Sequence, residues 1–226
     1  MLAKHPLSPG GLTYAVLDAN TLLAPRLADL LFDLYLVRLY YPRWTEQIEA
    51  EFLRNWARVT QSVAKRPSQS TRRQVNLKSS SDPRAVKRLA AFRAAVGDEC
   101  HVFGFDDPLL MQKVPPQVDP NDRHVACAAI VLQKICVETN KLDQVFLVTK
   151  NLVDLAPTEM SRLGVRVIAP GPFIDSLLEK DPKGVEAALS KTTSDLKAPV
   201  YTKEQMIAML KLHGAKRTSR HVKKLN

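Results

Sequence analysis

No apolar run in the 226 residues approaches the roughly 20 that a helix needs to cross a bilayer, so a helical membrane protein is not expected. The opening stretch MLAKHPLSPGG has Lys4 but is broken by Pro6, Pro9 and two glycines, and it lacks the apolar core of a signal peptide. Cysteine is scarce. There are three, Cys100, Cys127 and Cys136, with no C-x-x-C. Cys127 and Cys136 lie nine residues apart, face opposite sides of a helix and cannot pair there. A zinc site needs more ligands at closer spacing. Reduced, buried thiols of a cytosolic protein are expected. There is no internal repeat. Acids are missing from two segments: AKRPSQSTRRQVNLKSSS (64–81) has five basic residues, and KLHGAKRTSRHVKKLN (211–226) has six with two histidines. Without these eleven cations the net charge of +10 would be −1, so the positive charge is segregated from a nearly neutral body. Segregated basic charge favours a polyanion, with nucleic acid ahead of an anionic membrane.

What is present alternates short apolar strands with helices. Tyr14–Leu17 reads as a buried strand, and Pro25 suits the start of a helix with Leu27, Leu30, Leu31 and Leu34 on one face. YYPRW reads as a connection. A second helix starts near Thr45, with Ile48, Phe52 and Trp56 in its stripe. Residues 65–82 read as a flexible basic insertion. DPRAVKRLAAFRAAVG is a third helix with Asp82 as cap and Gly97 at its end. VDPNDRHVACAAIVLQKICVET is a helix apolar nearly all round. QVFLVTKN and VRVIAP are strands, with the helix LVDLAPTEMSRLG between them. Further helices are expected over Pro172–Lys180, Pro182–Lys191 and Thr202–Leu212. This order predicts an α/β fold with a parallel sheet covered on both faces.

In open parallel α/β sheets the site lies beyond the carboxyl ends of the strands. Asp18 stands at that end of the first strand, and Thr149, Lys150 and Asn151 at that end of a later one. Asp119 is expected to cap the long apolar helix and Pro120 to open it, which leaves Asp122 in the first turn with its carboxylate free. On the second helix Glu46 points away from the apolar stripe. Glu49 and Glu51 flank it on opposite edges, and periodicity does not choose between them. Carboxylates gathered at one rim repel each other unless a divalent cation neutralises them, and oxygen ligands select Mg²⁺ or Mn²⁺ over zinc. Such an ion activates water against a phosphodiester. Taken singly, each acid also reads as a cap or a solvated surface group. His124 reads as a surface or capping residue, and Trp44 and Trp56 read as core. Lys150 reads as an exposed lysine with phosphate in reach.

VLDANTLL, RWTEQIEAEFLRN, DPNDRHVACAA and VFLVTKNLVDL, in this order, resemble the PIN-domain ribonucleases, a family that includes the bacterial VapC-like toxins. The resemblance covers residues 12–180 and is most specific in DPNDRHV following LDAN. It implies a Rossmann-like parallel sheet of short strands flanked by helices and a metal-dependent endoribonuclease that uses Mg²⁺ or Mn²⁺. Asp18 matches the first catalytic acid. Glu51, six residues after Thr45, matches the helical acid, and Asp122 matches the third. Asn151 stands where many members have a fourth acid, and Asp154 is placed to supply that carboxylate, as in the branch that reads TxNxxDF. The implied metal ligands are Asp18, Glu51, Asp122 and Asp154. Homodimers are usual in toxin members, and an antitoxin protein blocks the site. Residues 181–226 form a helical extension with a basic tail, and the chain from about Asp195 lies beyond the usual domain of the family. Its Lys216, Arg217, Arg220, Lys223 and Lys224, together with Lys150, are the candidate contacts to RNA phosphates.

Two other readings stand beside this one. A haloacid-dehalogenase-type phosphatase also puts Asp at a strand end, but its D-x-D-x-T needs an acid where DANTL has Asn20. A non-catalytic RNA-binding module on the same scaffold is favoured by Asn151 and opposed by Asp18, Glu51 and Asp122.

Overall fold

A computed structural model describes residues 11–64, 82–196 and 200–225. The first ten residues and the basic insertion expected at 65–82, apart from Asp82, lie outside the described residues. Strands β1 (Thr13–Leu17), β2 (Tyr41–Arg43), β3 (Gln144–Val148) and β4 (Val165–Ile168) make one parallel sheet in the order β2-β1-β3-β4. All five β1 residues are buried, as a central parallel strand covered on both faces requires. Leu17 of β1 pairs in register with Val148 of β3, which sets the next residues, Asp18 and Thr149, side by side.

The helices among the described residues are α1 (Ala19–Leu22), α2 (Pro25–Leu36), α3 (Glu46–Ala64), α4 (Pro83–Val96), α5 (Pro108–Met111) and α6 (Arg123–Thr139). They continue with α7 (Pro157–Arg162), α8 (Pro170–Lys180), α9 (Pro182–Asp195), α10 (Lys203–Leu212) and α11 (Lys216–Lys224). The expected α3 stripe is buried: Ile48 and Phe52 have no exposed surface and Trp56 very little. Helix α4 runs as expected. Asp82 accepts from Arg84 N at 2.8 Å, Pro83 opens the helix, and Gly97 ends it at φ 80°. All three cysteines are buried and unpaired. No described helix is long and apolar enough to cross a membrane.

Three expectations need correction. The connection YYPRW contains strand β2. Three residues with a proline inside give no strand pattern, but Pro42 is tolerated because β2 is an edge strand. The single helix expected over LVDLAPTEMSRLG is split into a 3-10 turn, Val153–Leu155, and α7. The helical region is disfavoured for the residue before Pro157, so the turn ends at Ala156, which adopts φ 43°. Helix α6 starts at Arg123, later than expected. Asp119 accepts from Asn121 N at 2.8 Å and so caps the preceding turn, while Asp122 holds the N-cap position with no capping hydrogen bond from its side chain.

The basic tail is itself a helix, α11, docked on α8. Asp175 of α8 accepts from Arg217 N at 3.0 Å, from Thr218 N at 2.8 Å and from Thr218 Oγ1 at 2.7 Å. These bonds satisfy the free N–H groups at the start of α11. Thr218, Ser219 and Val222 are buried, and Lys216, Arg217, Arg220, Lys223 and Lys224 are exposed. Helix α9 lies along α2, where Thr192 Oγ1 donates to buried Asp33 at 2.6 Å.

Candidate functional site

The carboxyl ends of β1 and β3 deliver a connected set of polar side chains. Asp18 is 3% exposed. Its Oδ2 accepts from Thr149 Oγ1 at 2.7 Å and from Asn20 Nδ2 at 2.5 Å. The Thr149 hydroxyl, wholly buried, also accepts from Asn151 N at 2.9 Å. Asn20 Oδ1 in turn accepts from Lys150 N at 3.0 Å. Thr149 and Asn20 therefore clamp Asp18 to the end of β3. The sequence alone did not single out either residue for this role. The signal for Thr149 was the parallel register, which sets it beside Asp18.

Asn151 extends the set. Its Nδ2 donates to Asp154 Oδ2 at 2.5 Å and to Asp122 Oδ2 at 3.3 Å. The amide nitrogen, and not the oxygen, faces these carboxylates. An amide oxygen there would meet two negative groups. Asp119 N donates to the Asp154 carbonyl at 2.8 Å, which ties the entrance of α6 to the turn after β3.

Electrostatics separate the three glutamates of α3. Glu46 is exposed. Glu49 is 3% exposed and accepts from Trp44 Nε1 at 2.8 Å, from Arg93 Nε at 2.8 Å and from His101 Nε2 at 2.9 Å. Burial pushes its carboxyl up, but hydrogen bonds from Arg93, His101 and Trp44 outweigh that and hold it below the usual range. Glu51 faces the rim. Burial raises its pKa, and the charges of Asp18 and Asp122 raise it further. Asp122 is pushed up to about 6 by burial, with Asp18, Asp154 and Asp119 adding to the shift. Burial also raises Asp18, against the hydrogen bonds from Thr149, Ala19 N and Asn20.

His124 departs from expectation. It is 6% exposed, and its Nε2 lies 3.8 Å from Glu51 Oε2 with no hydrogen-bond partner. Burial all round this part of α6 runs without a break from His124 to Leu132, so the ring is enclosed rather than at the surface. Trp44 and Trp56 are buried, as expected. Lys150 is exposed at the rim. Of the tail residues, Arg217 pairs with Glu179.

Among the described residues, no three His, Cys, Asp or Glu side chains converge closely enough to ligate one metal ion. The donor set nevertheless fits a hard divalent cation in chemistry. It is made of carboxylate oxygens with a surplus of negative charge, and like charges stand apart until a cation draws them together. No family model, no curated protein and no solved structure matches the chain. The PIN-domain resemblance therefore rests on the four motifs alone.

Proposed function

We propose that the protein is a Mg²⁺- or Mn²⁺-dependent endoribonuclease of the PIN type. The observation that carries this reading is the gathering of Asp18, Glu51 and Asp122 at the carboxyl end of a parallel sheet, near enough that Asp18 and Asp122 act on Glu51 and Asp18 acts on Asp122. Ionised, and joined by Asp154, they would hold the cation. When bound, that ion would supply an activated water and charge neutralisation at the phosphodiester. The chain's own residues do the rest. Thr149 and Asn20 fix the Asp18 carboxylate. Asn151 damps the repulsion between Asp122 and Asp154 without adding charge. Lys150 presents a cation beside Asp18 for a phosphate. The roles of toxin, antitoxin partner and homodimer follow from the resemblance alone.

The test is to incubate purified protein with total RNA and Mg²⁺ or Mn²⁺ and to map the ends by sequencing. Discrete cuts that disappear in Asp122→Asn are expected. No cuts with either ion, or equal cutting by Asp122→Asn, would reject the proposal. Asn151 supports the second reading, a non-catalytic RNA-binding module, because its amide partly does the neutralising work of a cation. RNA binding without cleavage would select that reading. Turnover of p-nitrophenyl phosphate would select the phosphatase, which Asn20 opposes by serving Asp18 as a hydrogen-bond donor.

A further inference from the structure

Beside the carboxylates the rim opens into a cleft of about 840 Å³, within the range of roughly 300–1,000 Å³ typical of ligand pockets. One edge is formed by Asn20 and Lys150 of the rim. The floor includes Leu27 at the start of α2. The opposite wall is Met209 and Leu212 of α10, with His213 just after it. That wall belongs to the C-terminal extension. The turn after α10 is seated on α8, where Gly171 N donates to the His213 carbonyl at 3.1 Å. A Cβ at Gly171 would lie 2.2 Å from that carbonyl oxygen and 2.3 Å from Ala215 N, so only glycine permits the approach. This seating brings His213 up to Lys150. Burial, with the Lys150 charge, holds the imidazole down to about 4, so the ring is neutral.

The lining is apolar on its faces, polar at the rim edge, and cationic at Lys150 and Arg26. Leu212 is 80% exposed and so adds apolar surface open to solvent beside the cleft. A flat group with apolar faces and polar edges, linked to a phosphate, matches this chemistry. Asn20 is shared between the cleft and the Asp18 clamp, so any occupant abuts the proposed phosphate position. We propose that the cleft takes a nucleobase of the RNA, from a nucleotide adjoining the phosphate at the rim, and that the C-terminal extension is thereby part of the substrate site. This rests on RNA being the ligand of the rim.

The experiment measures anisotropy of a fluorescein-labelled single-stranded RNA of about 12 nucleotides, with one abasic residue walked through every position. The protein is the full chain carrying Asp122→Asn, alone and combined with Leu212→Glu. The second change lies on exposed surface, and unaltered thermal unfolding confirms that the fold is kept. In the parent, one abasic position should weaken binding by about 10-fold, the effect of no longer burying one base against the apolar lining. Leu212→Glu should weaken the intact RNA by a similar factor and erase the penalty at that position. Unchanged affinity, or a penalty that persists in Leu212→Glu, would overturn the proposal and leave the cleft to a protein partner. If wild-type protein cuts RNA while Leu212→Glu changes nothing, the cleft assignment falls and the ribonuclease stands. If the coupling is present without cutting, the cleft stands and the catalytic reading falls. If no RNA is bound, both fall.

Discussion

Glu49 and Glu51 stand two residues apart on α3 in opposite electrostatic surroundings. Glu49 is enclosed by three hydrogen-bond donors from Trp44, Arg93 and His101, and its carboxyl is held low. Glu51 looks across the rim at Asp18 and Asp122, and its carboxyl is held high. The first arrangement joins α3 to α4 and to the strand edge near His101. In the second, Arg54 offsets only part of the repulsion, and a fold retains such charge at a cost in stability where a ligand is to supply the opposite charge.

Breaking the rim should have the largest effect. Asp18→Asn and Asp122→Asn should each reduce RNA cleavage by about 100-fold or more while thermal unfolding stays cooperative. A gel assay beside a melting curve reads both quantities.

Next comes the paired exchange on α3. Glu49→Gln should destabilise the protein by about 2 kcal/mol, because it strips charge from hydrogen bonds to Arg93 and His101 in a buried cage. Glu51→Gln removes a repelled charge and should leave stability unchanged or raise it by up to about 1 kcal/mol, while cleavage is lost. Urea midpoints of the two proteins test whether the signs differ.

The same contrast appears in pH dependence without divalent ions. The Asp122 pKa is higher in the folded state than its ordinary 3.8, rising to about 6, so the native state holds a proton that the unfolded chain releases. Its contribution is present in full below about pH 4 and is lost as pH rises through about 6. For this partly exposed group the loss is on the order of 1 kcal/mol. Glu49 works in the opposite direction: its folded pKa is depressed, so its contribution is present above the ordinary glutamate range and lost in acid. Urea unfolding across this window should show a fall in stability that is smaller in Asp122→Asn.

The smallest effect concerns the tail. Deleting residues 211–226 would also remove the seat of α10 on α8, so charge is better changed in place. Exchange of exposed Lys216, Arg220 and Lys223 for Glu should reduce the salt slope of RNA binding by about 0.7 for each phosphate no longer neutralised, with the cut sites unchanged. An unchanged slope would assign this face to something other than RNA.

Much of this was legible in the sequence. The three apolar strands, the capped α4 and the burial of α6 follow from period and punctuation. Placing Asp18 at a strand end required only the rule for parallel sheets. β2 was illegible because an edge strand of three residues, one of them Pro42, has no room for a pattern. The choice between Glu49 and Glu51 was illegible from periodicity, because both flank the stripe. It turns on Arg93 and His101, which lie 44 and 52 residues away from Glu49 in sequence. The enclosure of His124 was illegible because the buried run of α6 begins one residue before its apolar run does. The docking of α11 depended on Asp175, whose role as a cap for another helix leaves no local mark.

Mn²⁺ binding, followed by the loss of free-ion paramagnetic resonance at about pH 7.5, tests the central claim most directly. The wild-type protein should take up Mn²⁺. Asp122→Asn should lose most of that uptake, and Glu49→Gln should keep it wherever it is folded. Wild-type protein that binds no Mn²⁺, or Asp122→Asn that binds it as tightly as wild type, would contradict the account.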